Sequence, residues 1–103
     1  MSWRDRNLDT YVVDFDGTIA HEHWPDDEQI GEPIRKNIEK MWTIKDLGHK
    51  IEVFTSRPAW HRPFIEHWLT ANAVPFDRVT FGKPIGIKYI DNKGVNSEAE
   101  SWI

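Results

Sequence analysis

The chain has 103 residues, 39% of them apolar, with six Trp, five Phe and a formal charge of −4. That length suits one domain with enough large side chains for a core, and the mildly acidic balance excludes a general basic field for nucleic acid. There is no cysteine, hence no disulfide framework or thiolate chemistry; no apolar run approaches the ~18 residues of a membrane span.

The first residues, Met1 to Asn7, are polar and lack the apolar centre of a signal peptide. The expectation is a soluble, cytoplasmic protein with no membrane partner. Tyr11 to Phe15, short, β-branched and aromatic, predicts a buried strand. It runs into Asp14-Phe15-Asp16-Gly17-Thr18. In regular strand geometry Asp14 and Asp16 share a face. Two carboxylates that close repel unless a cation or a shared proton offsets the charge. The same residues also make an ordinary Asp-Gly turn with both acids in water.

Ala20 to Glu32 reads as an acidic loop around His21, His23 and Trp24. It lacks zinc-type ligand spacing and reads as a solvated flap. Pro33 is expected as the first residue of a helix. Ile34, Ile38, Met41 and Ile44 follow at helical spacing, and Gly48 supplies the stop. Ile51 to Phe54 predicts a second strand, ending in Thr55-Ser56-Arg57-Pro58. A second helix is expected from about Trp60 to Ala73, with Pro63 tolerated in its first turn and Phe64, Ile65, Trp68 and Leu69 as its apolar face.

Val79 to Phe81 is a third short extended piece, closed by Gly82-Lys83-Pro84, and Lys88 to Ile90 a fourth, before Asp91-Asn92-Lys93-Gly94. The stretch from Phe81 to Lys88 is too short to cross between adjacent parallel strands, which puts the third strand in question. Trp42 and Trp68 are expected in the core, Trp24 and Trp60 at a site mouth. Trp3 and Trp102 suit docking on the body or the interface of a homo-oligomer.

Strand, helix, strand, helix, strand is the alternation of an α/β domain with a mostly parallel sheet of about four strands. Polar residues gather where strands end: Asp14 and Asp16, Thr55 and Ser56, Asp91 and Asn92. In open parallel sheets ligands sit beyond those carboxyl ends.

With these residues in place, the chain resembles the haloacid dehalogenase-like superfamily of phosphotransferases across positions 12–92. The matching pieces are Asp14-Phe15-Asp16-Gly17-Thr18, Thr55 after an apolar strand, Lys83 in Gly82-Lys83-Pro84, and Asp91 after Tyr89-Ile90. The resemblance implies one small Rossmann-like, three-layer domain over 1–103. Neither interval where the family inserts a cap is long enough to hold one.

It also implies roles. Asp14 is the nucleophile that becomes an aspartyl-phosphate, and Asp16 the general acid and later base. The Asp14 and Asp91 carboxylates and the Asp16 carbonyl hold Mg²⁺. Thr55 and Ser56 bind the phosphoryl group, and Lys83 neutralises it. Arg57 either pairs with a second anionic group of the substrate or is a solvated loop residue. His61 and Arg62 open the second helix near the same crevice, where solvation is the commoner fate. One departure is Asn92, where phosphatases of the family usually carry a second acid.

The leading expectation is a Mg²⁺-dependent phosphate-monoester hydrolase acting on a phosphorylated small molecule or a phosphorylated macromolecule end. The alternative is a catalytically weak phosphate-binding or regulatory domain on the same scaffold. A response-regulator receiver fits poorly, because both acids lie in one run and the later aspartate follows Thr55 and Lys83.

Overall fold

Tyr11, Val12 and Val13 are all buried, although consecutive strand residues point to opposite faces. A strand covered on both faces belongs in the middle of a parallel sheet. In the computed structural model, which describes residues 9–82, 88–91, 95–96 and 102, that strand is β1, Thr10–Asp14. The other elements are α1 (Arg35–Asp46), β2 (Lys50–Thr55), a 3₁₀ turn (Ala59–His61), α2 (Arg62–Ala71), β3 (Arg78–Phe81), β4 (Lys88–Asp91) and β5 (Val95–Asn96).

The sheet has five strands in the order β3-β2-β1-β4-β5, and every pairing is parallel. Val13 is in register with Val53 and Ile90, and Val53 with Val79. The α/β class with a parallel sheet thus holds. Val79 to Phe81 lies in a true strand. It sits at the sheet edge beside β2, with β2 and β1 between it and β4, so the limit on crossovers between adjacent strands does not apply to it.

One core gathers Tyr11, Val13, Phe15, Ile51, Val53 and Val79 with Ile38, Met41 and Ile44 of α1 and Ile65 and Leu69 of α2. The chain steps from β1 to β2 to β3 in one direction, and right-handed crossovers then place both helices on one face. Among the described residues the helices therefore form a single layer. Trp102 is buried in this core, with the Lys40 ammonium 5.3 Å from its ring centre.

Several boundaries move for local reasons. Helix α1 begins at Arg35 rather than Pro33. Pro33 bridges Ala20 and the Ile34 N–H donates to the Ile19 carbonyl at 2.8 Å, so the chain is still extended there. Gly48 ends the helix with φ 94°, a conformation glycine adopts without penalty. Trp42 is 44% exposed, not core; its indole N–H donates to the Ala73 carbonyl at 2.9 Å. Trp68 does pack, edge-on to Phe15 at 5.2 Å.

The amino end of the sheet is stitched by charge. Glu52, 1% exposed on β2, accepts from Arg78 Nε and Nη2 at 2.9 and 2.6 Å. The two residues are direct register partners. Asp77 accepts from the Ile51 N–H at 2.7 Å and from Lys45 Nζ at 2.6 and 2.7 Å. Burial pushes the Asp77 carboxyl up, but the bonds from Lys45 and the Ile51 N–H outweigh it and leave it below its ordinary value. Burial, with a smaller contribution from the charge of Asp9, raises the Tyr11 phenol. No helix among the described residues is long and apolar enough to cross a membrane.

Candidate functional site

Strand β1 ends at Asp14, and the next residues turn at once. The N–H groups of Thr18, Ile19 and Ala20 all point to the Phe15 carbonyl, at 3.4, 3.0 and 3.1 Å. Gly17 takes φ 86°, which favours glycine there. Phe15 lies beyond the strand, although its N–H still donates to the Phe54 carbonyl at 2.9 Å, and Asp16 forms an isolated bridge with Ala20.

The chain then leaves the sheet and returns. The His21 N–H donates to the Glu32 carbonyl at 2.9 Å, and Ala20 bridges Pro33. Residues 20–33 therefore form a loop closed at its neck, a flap anchored beside the turn that carries Asp16. Gly31 sits in that neck because a Cβ there would run into the His21 carbonyl oxygen.

Thr55 is the last residue of β2 and is fully buried. Its hydroxyl accepts the Arg57 N–H at 3.1 Å and donates to Asp16 Oδ2 at 3.4 Å. Ser56 is exposed. Asp91 ends β4; since Val13 pairs with Ile90, Asp14 and Asp91 come next on strands about 4.8 Å apart. Asp14, Asp16, Thr55 and Asp91 are thus gathered at the carboxyl end of the sheet. Lys83 and Asn92 lie outside the described residues.

Arg57 occupies a place that neither sequence reading gave it. Its side chain is 0% exposed and that of Asp16 is 9% exposed. Nε donates to both Asp16 oxygens, at 3.3 and 3.1 Å, and Nη2 to Oδ1 at 2.9 Å. Nη1 and Nη2 also donate to the flap carbonyls of Glu28 and Gln29, each at 2.8 Å. Nη1 lies 3.4 Å from His61 Nδ1. Four of the five guanidinium N–H groups donate to oxygens of the chain, and the fifth faces the His61 ring. Arg57 is neither solvated nor open to a substrate anion in this arrangement. Its position in a strand-end loop was the only signal; the pairing to Asp16 leaves no local pattern.

His61 is buried. It lies between Trp24 and Trp60, at ring-centre distances of 5.4 and 4.1 Å, and its Nε2 has no partner. The Trp24 ring also packs on the Arg57 guanidinium at 5.3 Å. Trp60 is 59% exposed. Together Glu28, Ile30, Arg57, Trp60, His61 and Phe64 line a cavity of about 180 Å³ beside the flap. A larger one, about 300 Å³, lies at the amino end between Thr10, Lys50 and Arg78, the wrong end of a parallel sheet for a ligand. Arg62 turns to the β3 edge instead, donating to the Val79 carbonyl at 3.2 Å.

His23 and Asp27 pair within the flap at 3.4 Å. Among the described residues no group of three His, Cys, Asp or Glu side chains could hold a metal ion. Aspartate carboxylates and backbone carbonyls, the groups that Asp14, Asp16 and Asp91 would offer, are oxygen donors, the chemistry that a hard cation such as Mg²⁺ takes.

No family model matches the chain, and no curated protein matches it. Two solved structures do. A conserved protein from Bacteroides thetaiotaomicron superposes with a TM-score of 0.70 at 25% identity, over 86% of this chain and 79% of its own. An MCSG target protein from Vibrio cholerae superposes with a TM-score of 0.65 at 27% identity, over 87% of this chain and 85% of its own. Both share the small α/β fold.

Proposed function

We propose that the chain is a Mg²⁺-dependent phosphate-monoester hydrolase that works through an aspartyl-phosphate on Asp14. The observation that carries this reading is the meeting of Asp14, Asp16, Thr55 and Asp91 at the carboxyl ends of neighbouring parallel strands. Phosphoryl transfer asks for positioning and charge stabilisation, and these residues offer a nucleophile, a proton carrier, a hydroxyl donor and oxygen ligands. Bound Mg²⁺ would neutralise the phosphoryl oxygens and orient the phosphate, held by Asp14, Asp91 and the Asp16 carbonyl.

In the first step a carboxylate oxygen of Asp14 forms a bond to phosphorus. The ester P–O bond breaks and its electron pair leaves on the ester oxygen, which takes the proton held by Asp16. In the second step water attacks the phosphorus and gives its proton to the Asp16 carboxylate. The bond from phosphorus to Asp14 breaks, inorganic phosphate departs, and both acids return to their starting states. Thr55 donates its hydroxyl to a phosphoryl oxygen, and Lys83 neutralises its charge.

The substrate class is a phosphorylated small molecule or a phosphorylated macromolecule end. The test is turnover of 4-nitrophenyl phosphate and a panel of phosphorylated metabolites with and without Mg²⁺. Asp14→Asn is expected to lower turnover by about 10³-fold or more, as loss of a nucleophile does. Equal turnover by that variant overturns the reading. Tight binding of a phosphate mimic without turnover would favour a phosphate-binding or regulatory domain instead.

A further inference from the structure

We infer that Arg57 is a positioning residue, one that orients the Asp16 carboxyl only while the flap is seated. The inference rests on the phosphatase reading and goes beyond it by tying proton delivery to a second part of the chain.

The guanidinium is a rigid fork with donors along two edges. Along one edge, Nε and Nη2 hold both oxygens of Asp16. Along the other, Nη1 and Nη2 hold the Glu28 and Gln29 carbonyls of the flap. Nη2 belongs to both sets. Moving the flap away removes two acceptors from a fully buried cation, and a buried donor does not stay unpaired without cost. The fork must then shift toward water, and Asp16 loses the partner that sets its angle. His61 Nδ1 lies 3.4 Å from Nη1, and the two Trp rings beside it pack against the imidazole.

The neck at Gly31 is the lever. It is remote from the acid, yet a side chain there would push against the His21 carbonyl and unseat the flap. Lysine in place of Arg57 keeps the charge but has a single ammonium in place of the fork. It cannot hold a carboxylate and two carbonyls together in this geometry.

A residue that aims the general acid matters in the first step only where the leaving group needs a proton, whereas in the second step Asp16 activates water on the same phospho-enzyme whichever ester formed it. Two probes separate the cases: phenyl phosphate, whose leaving oxygen needs one, and 2,4-dinitrophenyl phosphate, whose leaving group departs as the anion. Arg57→Lys is expected to lower the single-turnover rate of phenol release from phenyl phosphate by about 10²-fold, within the usual worth of general acid catalysis, and to change the single-turnover release of dinitrophenol by less than about threefold. Gly31→Ala should show the same split. The double variant should be no worse than Arg57→Lys alone, because both changes break one unit. The ratio of the two esters is read on one preparation, so partial unfolding scales both and cancels. Equal losses on the two esters, or additive losses in the double variant, overturn the positioning role while Asp14→Asn still supports the phosphatase. Absence of any Asp14-dependent turnover of the dinitrophenyl ester overturns the phosphatase reading and this inference with it.

Discussion

Among the described residues two arginine–carboxylate forks stand at opposite ends of the sheet. At the amino end Arg78 grips Glu52 across neighbouring strands, with the arginine half-exposed and the glutamate buried. At the carboxyl end Arg57 grips Asp16 with the arginine fully buried, and it joins loops rather than strands. The first fork ties residues that the register already brings together. The second ties residues 41 positions apart that no ladder aligns, and adds the flap carbonyls. Similar chemistry serves sheet pairing at one end and site assembly at the other.

The sharpest way to break that contrast is to remove each arginine. Arg57→Ala leaves Asp16 with the Thr55 hydroxyl but without its guanidinium, and takes the same donor from two carbonyls in a closed space. It is expected to cost about 3–5 kcal/mol in urea unfolding, the range for breaking a buried pair, and to abolish the preference for the protonated leaving group. Arg78→Ala removes a half-exposed partner and lets water reach Glu52 from the neighbouring cavity. Its expected cost is about 1–2 kcal/mol, with the ratio of the two phosphate esters unchanged. A larger loss for Arg78→Ala, or any change in that ratio, would erase the distinction between the ends.

Asp77 sharpens the amino-end side. Its folded carboxyl titrates below its unfolded value, so its contribution to stability is complete above about pH 4 and fades as pH falls through the folded value. Asp77→Asn keeps an acceptor for the Ile51 N–H but loses the Lys45 ion pair. For an exposed pair the expected cost at pH 7 is about 0.5–1 kcal/mol, and the gap from the parent chain should narrow toward pH 3. A gap that widens on acidification would contradict the sign. Turnover at neutral pH should be untouched.

The strands were legible because their residues are mostly apolar and stop at polar groups. Asp14, Thr55 and Asp91 fall at strand ends as their sequence contexts required. Glu52 carried a readable signal of its own: a charge between Ile51 and Val53 in a buried strand needs a partner. The partner's identity depended on register, which no local pattern encodes. Asp16 was displaced from the strand by the turn at Gly17, where three N–H groups converge on one carbonyl. The flap neck was invisible for the same reason as the Arg57 fork. The pairing of Ala20 and His21 with Glu32 and Pro33 is made across a loop, between residues that read as irregular. That pairing also delayed the start of α1 past Pro33.

The neck has a consequence for how the chain can grow. Ile19 to His21 and Glu32 to Ile34 are clamped side by side by backbone hydrogen bonds, so the two ends of the loop stay close whatever lies between them. Doubling the length of a flexible loop with fixed ends costs only about 0.6 kcal/mol. Extra residues spliced at the exposed tip, near Pro25 and Asp26, would leave the strand register and the carbonyls of Glu28 and Gln29 where they are. The flap is thus a ready insertion point, at which a larger cover over the site can be added without rebuilding the sheet beneath it.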